Sequence, residues 1–453
     1  MMRIALKFMT VAGCAILLFS CSNFFILWQV ESTSMIDTNQ DFILESSGNI
    51  DAIHKEHKAA LTPTIVSPSA VIQTKSTNTT YHTGIYDRQE YEKQLKISMT
   101  PLTNVTSGAY RHMFWAGFCN QYMMFIGMII LTNENNYSQI LVESIRWKDT
   151  FGTNQQIRHD LLFDIVHWNS YYPGLPRMIS YDPHVLPDVE IGGNEVSPRI
   201  FWKVDAANAT NPHSIGEKQT SAVHAYLDYT NKVFHKRRPL LSLELDIMKG
   251  AFRPHPEIQF MIDGFIKSMD GGGGGSSYMV LHARIEPDMQ KHGSCSEFKV
   301  TAFKDIVRML QDQFAEPPVS TIIVILNREI LEKEVKDTKK ENILAAENLK
   351  MLNDLIANGL WGGRVRVVEA GSKLAIESEH EIYSKYSTIV GGIVNYFISL
   401  QANIFVGTQV SSYSSAVIKT RFFREKRDNY FYVPEGLIEA TPANATQPPK
   451  FSC

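Results

Sequence analysis

Two basic side chains, His282 and Arg284, lie two residues apart in the run Tyr278-Met-Val-Leu-His282-Ala-Arg284-Ile-Glu286-Pro-Asp288. Along a strand side chains alternate, so these two share one face at the carboxyl end while Leu281, Ala283 and Ile285 take the other. An arginine is rarely buried unless paired, and its planar fork matches phosphate oxygens. The spacing describes an anion site in which Arg284 supplies the charge and His282 a bond to a phosphate or ribose oxygen. A structural arrangement uses the same residues, with Arg284 paired to Glu286 or Asp288 and His282 packed and bonded to backbone.

A second element of the same chemistry follows. Ser411, Ser412 and Ser414 open a helical stretch after the apolar run Asn403–Gly407. Free N–H groups and the positive end of a helix dipole bind phosphate at such a terminus, and N-capping is the ordinary alternative. No Asp-X-Asp motif occurs and no Cys/His cluster has zinc spacing, so no metal is indicated.

The elements that must position these residues are regular. Strand candidates Tyr278–Ile285, Thr321–Leu326, Val365–Glu369 and Asn403–Gly407 alternate with helical stretches at 298–314, 341–358, 385–401 and 412–422. Repeated strand-then-helix order with apolar strands predicts a parallel sheet of the nucleotide-binding kind, whose ligands sit beyond the carboxyl ends of the strands. Upstream, residues 255–269 read as a helix with Pro256 in its first turn, and Gly271–Gly275 forms a flexible loop, so a hinge is placed between 250 and 277. A folded region is expected from Tyr110, with a helical stretch at Gln121–Leu131 and a strand at Ile140–Ile145. His159, Asp164, His167, Trp168 and Tyr171 make a polar-aromatic cluster with two readings, the lining of a cleft or, more commonly, core packing and helix-surface polarity.

With 453 residues, 44% hydrophobic and 20% charged, the chain is long enough for two or three domains and too ordinary in composition for a fibre or wholesale disorder. Its formal charge of −3 supplies no field for nucleic acid, which is not expected as a partner. Phe8 to Val30 carries no charge and can cross a bilayer; Arg3 and Lys7 before it, with Glu31 and Asp37 after it, give a type II anchor. A cleavable signal peptide with its apolar core at Val11–Phe19 is the alternative. Residues 31–106, rich in Ser, Thr, Asn and Pro, read as a stem. Sequons at Asn78, Asn104, Asn136, Asn208 and Asn444 accord with passage through a secretory lumen. Cys119, Cys295 and Cys453 lie beyond the apolar segment and allow at most one intramolecular bridge.

Three segments together resemble the protein O-fucosyltransferase superfamily. His282-Ala-Arg284 with Asp288 and Cys295 resembles its His-X-Arg segment, and Glu286-Pro-Asp288-Met289 resembles plant members. Gly117-Phe118-Cys-Asn120-Gln121 is similar to the amino-terminal donor loop, and Phe405-Val-Gly-Thr-Gln-Val-Ser411-Ser412-Tyr-Ser414 to the carboxy-terminal loop. The likeness spans about residues 110–425. It implies an α/β, GT-B architecture: two Rossmann-like domains, 107–255 and 256–437, with a cleft between them, followed by a tail at 438–453. A cytosolic tail (1–7), transmembrane helix (8–30) and stem precede them, in the Golgi or endoplasmic reticulum membrane.

The resemblance further implies GDP-fucose as donor substrate, no resident cofactor, and a glycoprotein or polysaccharide acceptor. Arg284 becomes the catalytic cation, with Gly117, Phe118, Asn120, His282, Asp288, Asn395, Ser411, Ser412 and Ser414 binding substrate. Glu286 and Asp288 are candidates for a general base, although a donor phosphate oxygen can serve, and either route inverts the anomeric centre. Where relatives often carry an acidic residue, this chain has Asn395, which leaves room for another donor such as UDP-rhamnose. A catalytically silent lumenal sugar- or peptide-binding protein is the alternative of another class.

Overall fold

The computed structural model of the chain describes residues 86–100, 108–114, 118–119, 122, 125–126, 129, 139–148, 154–171, 175–179, 199–203, 245–269, 277–286, 301–336, 342–426 and 428–446. The expected tail, anchor and most of the stem, the glycine run, Gly117, Asn120, Asp288, Cys295, Cys453 and every sequon except that at Asn444 lie outside the described residues. Residues 83–453 form one compact unit, and no helix among the described residues is long and apolar enough to cross a membrane.

The unit begins with helix α1 (Arg88–Met99), so the stem expected through residue 106 ends earlier. Asp87 caps it, its carboxylate accepting from the N–H groups of Gln89 and Glu90 at 3.0 and 3.1 Å. Tyr91 and Met99 are buried and Leu95 packs against the core. Three apolar side chains at intervals of four suffice to dock an otherwise polar helix.

A five-stranded sheet follows, comprising β1 (Gly108–Phe114), β2 (Gln139–Lys148), β3 (Asn154–Arg158), β4 (Arg177–Ile179) and β5 (Arg199–Lys203). Its order is β3-β2-β1-β5, with β4 also on β2. It is mixed: β1, β2 and β4 are parallel, whereas β3 and β5 run antiparallel to their neighbours. This departs from the expected Rossmann-like first domain. Residues 149–153 are too few for a crossover, so the chain returns from β2 to β3 antiparallel. Helix α2 (Ile165–Tyr171) and a π-type turn at Ile247–Ala251 lead to helix α3 (Pro256–Met269).

The second sheet matches its expected strands closely: β6 (Tyr278–His282), β7 (Thr321–Ile325), β8 (Arg366–Glu369) and β9 (Ile404–Gly407), then β10 (Asn429–Val433) and β11 (Gly436–Glu439). Between them run α4 (Phe303–Gln313), α5 (Arg328–Lys336), α6 (Asn342–Asn358), α7 (Ser372–Ile376), α8 (Glu381–Lys385), α9 (Ser387–Gln401) and α10 (Ser412–Phe423). The order is β11-β10-β9-β6-β7-β8, parallel except for the terminal hairpin of β10 and β11. The chain winds outward from β6 to β8, then restarts beside β6 at β9. That reversal is the topological switch point of a doubly wound sheet. The tail expected from residue 438 starts later, because β11 runs to Glu439 and Thr441 is buried.

Alternation divides the strands between two cores. Met279, Leu281, Ala283, Ile322, Val324 and Val406 face α4 and α6, whereas Tyr278, Val280, Ile323, Ile325 and Phe405 face α9, α10 and α3. The second of these cores continues into the amino-terminal half through Phe118, Tyr122, Phe125, Phe163, Trp168 and Phe252. The two sheets therefore share one apolar core.

Candidate functional site

The carboxyl ends of β6 and β9 meet at the switch point. The strand ladder continues one residue past β6, Ala283 N–H donating to Ile325 O at 2.9 Å, and the chain then leaves the sheet at Arg284. Beside it, β9 ends at Gly407, where a Cβ would lie 2.4 Å from Ser414 Oγ. Only glycine lets the first turn of α10 come this close.

Ser414 is fully buried; its Oγ accepts from Thr408 N–H at 3.0 Å and lies 2.8 Å from His282 Nδ1. One hydroxyl thus ties the β9–α10 turn to the end of β6. The Tyr413 ring packs on His282 at 4.6 Å, and its hydroxyl lies 2.9 Å from Ser399 Oγ, which donates to Asn395 O at 2.8 Å. Burial above all, with the Arg284 charge adding to it, lowers the His282 pKa to about 3, so its imidazole is neutral at ordinary pH. The packed, bonded reading of His282 holds, although its partners are side chains rather than backbone.

Ser411 occupies the N-cap of α10 in an extended conformation, yet its side chain makes no capping bond, and no acidic residue lies in the first turn. The positive end of a twelve-residue helix thus lies at the switch point without a cap from its own N-cap side chain. Ser412 is half-buried there.

Arg284 sits just past the end of β6 with Glu286 beside it, the structural pairing that the spacing allows. Its backbone N–H donates to the Tyr432 hydroxyl at 2.9 Å, which fixes the main chain just past the strand. Its Nη1 lies 2.9 Å from Glu286 Oε2, yet that oxygen accepts no directed hydrogen bond, so the contact is an ion pair by proximity. Glu286 is buried and its Oε1 accepts from Asn327 N–H at 2.6 Å, whereas the Arg284 side chain remains 20% exposed. Further along the same row of strand ends, Arg328 bridges Glu332, Glu369 and Asn353.

Asn395 lies on α9 against Gly371, which follows β8 with φ +70°; a Cβ there would meet Asn395 Nδ2 at 2.4 Å. Its Oδ1 is buried without a hydrogen-bond partner, a lone acceptor near the strand ends. Phe118 is elsewhere. It is buried between Tyr396, at 5.3 Å, and Phe163, where the two halves of the core join. It acts as a packing residue there. Cys119 beside it is a free, buried cysteine whose thiol pKa burial raises.

Sequence reasoning missed Tyr432, Thr408 and Arg421. Arg421 is fully buried in α10, donating to the carbonyls of Ser399, Ala402, Asn403 and Asp428 at 3.0, 2.6, 3.1 and 3.4 Å, and to Asn429 Oδ1. Burial lowers its pKa to about 10. A guanidinium saturated by carbonyls braces the amino ends of β9 and β10. Its signal was a charge flanked by the apolar run Ala416–Ile418 and by Phe422 and Phe423.

The class these features define is an α/β protein with a doubly wound sheet and a cluster of basic and hydroxyl side chains at its switch point. No protein-family model matches the chain, and no curated protein does. Among solved structures it is similar to POFUT1 in complex with GDP, with 11% identity, 73% of this chain and 99% of that one covered, and a TM-score of 0.39. It is also similar to POFUT1 in complex with GDP-fucose, with 12% identity, 72% and 98% covered, and a TM-score of 0.40.

Proposed function

We propose that this chain is an inverting glycosyltransferase that moves fucose from GDP-fucose to a hydroxyl of a protein or glycan. The observation that carries the reading is the partly exposed Arg284 guanidinium at the switch point, where the amino end of α10 has no cap from the Ser411 side chain. Cleaving the bond between fucose C1 and the diphosphate sends the electron pair to GDP and leaves positive charge on the sugar. A fixed cation and oriented N–H groups stabilise that leaving charge most in the transition state. The acceptor oxygen bonds C1 from the opposite face and inverts it. Glu286, engaged by Asn327 and Arg284 and buried, is not placed to take the acceptor proton, which leaves Asp288 or a donor phosphate oxygen.

His282 supports the arrangement indirectly. With Ser414 Oγ already accepting from Thr408, its own proton can serve Nδ1, which places the imidazole proton on Nε2 as a donor for an anion. The reading includes metal independence, from the missing Asp-X-Asp motif, and a lumenal body anchored in the Golgi or endoplasmic reticulum membrane. Asn444 is exposed in a turn, a position an N-glycan can occupy. A UDP-sugar donor such as UDP-rhamnose is the second reading, favoured by one feature: position 395 carries an amide, whose lone Oδ1 sits beside an NH2 donor where a carboxylate would have a second oxygen.

Donor hydrolysis by the folded protein with GDP-fucose, UDP-rhamnose and UDP-glucose tests these readings. Turnover of GDP-fucose that survives EDTA is expected. Turnover of a UDP sugar alone selects the second reading, and turnover of none overturns both in favour of a binding protein.

A further inference from the structure

Arg284 is held through both its backbone and its side chain, and the second hold has a consequence for the proposed transfer. Its backbone is fixed by Tyr432, and its side chain lies against Glu286, whose carboxylate is in turn bonded to the Asn327 N–H at the end of the neighbouring strand. Arginine and carboxylate usually meet as two parallel forks. Here one nitrogen approaches one oxygen at 2.9 Å, off the direction of its N–H, and that oxygen accepts no other hydrogen bond. The carboxylate therefore attracts the guanidinium through its charge rather than through a directed hydrogen bond. Glu286 is 1% exposed and Arg284 is not fully covered, so an anion arriving at the strand ends meets the arginine and not the carboxylate.

We infer that Glu286 is a positioning residue for Arg284: its strand-anchored carboxylate aims the guanidinium at the departing diphosphate and offsets part of its charge, so that the nucleoside diphosphate is held firmly in the transition state and loosely as product. This rests on the transferase reading. A mispositioned charge costs rate steeply, whereas a nearby negative charge weakens ground-state binding of a phosphate by simple repulsion. The two effects have opposite signs on removal of the charge, and that opposition separates positioning from mere structural support.

Glu286→Gln keeps an oxygen for Asn327 N–H and removes the charge. Turnover is expected to fall at least tenfold while GDP, measured by calorimetry, binds a few-fold tighter. Glu286→Asp keeps the charge but is too short to span Asn327 and Arg284, and turnover should fall without tighter GDP binding. Unchanged turnover in a folded Glu286→Gln protein overturns the inference, as does a loss of turnover matched by weaker GDP binding. A melting-temperature cycle gives a readout independent of activity. Arg284→Ala leaves the buried carboxylate without its cation and should lower the melting temperature; adding Glu286→Gln should restore it. Failure of that restoration shows the pair is uncoupled and sinks the inference even in an active enzyme. Wild-type protein that binds no nucleotide but shows the restoration defeats the transferase reading and the positioning role with it, leaving a structural ion pair.

Discussion

At the scale of single residues, charge and burial set two measurable behaviours. Arg284→Ala should lower turnover by about 10²-fold or more, as removal of a transition-state charge contact does, and Arg284→Lys should not restore it because a point charge lacks the fork. Near-normal turnover in Arg284→Ala would remove the guanidinium from the chemistry. The second behaviour concerns the buried histidines His282 and His255, both held at a pKa of about 3, by burial first and by nearby positive groups second. Their pKa values lie below that of the unfolded chain, so the stability they contribute is complete above about pH 6.5 and is lost as pH falls toward 3. Each contributes a slope of up to ~1.4 kcal/mol per pH unit. The stability gap between wild type and His282→Asn, read from urea melts, should therefore shrink from pH 6.5 to pH 5; a constant gap would show that His282 takes up its proton as readily folded as unfolded. The alternation that sets His282 opposite Leu281 and Ala283 was legible in the sequence because it is a local property of a strand. The partners of His282 and Arg284 were not, since Ser414 is 132 positions from His282 and the choice of Glu286 depends on where Asn327 ends the next strand.

At the scale of elements, the second sheet was readable because its strands are uninterrupted apolar runs bounded by turns, such as Thr321–Ile325, every residue of which is buried. The amino-terminal sheet was not, because whether a strand returns parallel or antiparallel is decided by connection length and pairing rather than composition. Helix α1 escaped for another reason. Its buried face is only Tyr91, Leu95 and Met99, and the Tyr91 hydroxyl donates to Asp164 at 3.2 Å, within the polar-aromatic cluster of residues 159–171. Its start is nonetheless marked by a capping aspartate. Asp87→Ala should cost about 1 kcal/mol in urea denaturation, the usual value for a lost N-cap. No measurable change would mean that α1 contributes little to the stability of the unit. Arg421 teaches the complementary lesson: a buried charge within a helix can be a brace for loop carbonyls rather than a ligand contact.

At the scale of the molecule, the question is whether the two sheets behave as separate domains, as a two-domain cleft enzyme implies, or as one body. Phe118, Tyr122 and Phe252 of the first half pack with Tyr396 and Phe397 of α9 in the second, and Arg424 at the end of α10 donates to Met248 O at 2.8 Å. The last helix of the nucleotide-type sheet thus returns to the first half, and an aromatic path runs from Phe118 through Tyr396 and Tyr413 to His282. A core shared in this way couples the halves, because neither can expose its side of the contact without stranding the other's apolar surface in water. The unit should therefore unfold in a single calorimetric transition whose calorimetric and van't Hoff enthalpies agree. Phe118→Ala, which opens a cavity at the junction, should lower that transition as a whole by about 3–5 kcal/mol of stability. Two transitions in the wild type, or a Phe118→Ala change confined to one of two, would show independent domains whose relative motion is free; a single shifted transition would mean that any opening of the site for acceptor comes from the loops around the strand ends and not from separation of the sheets.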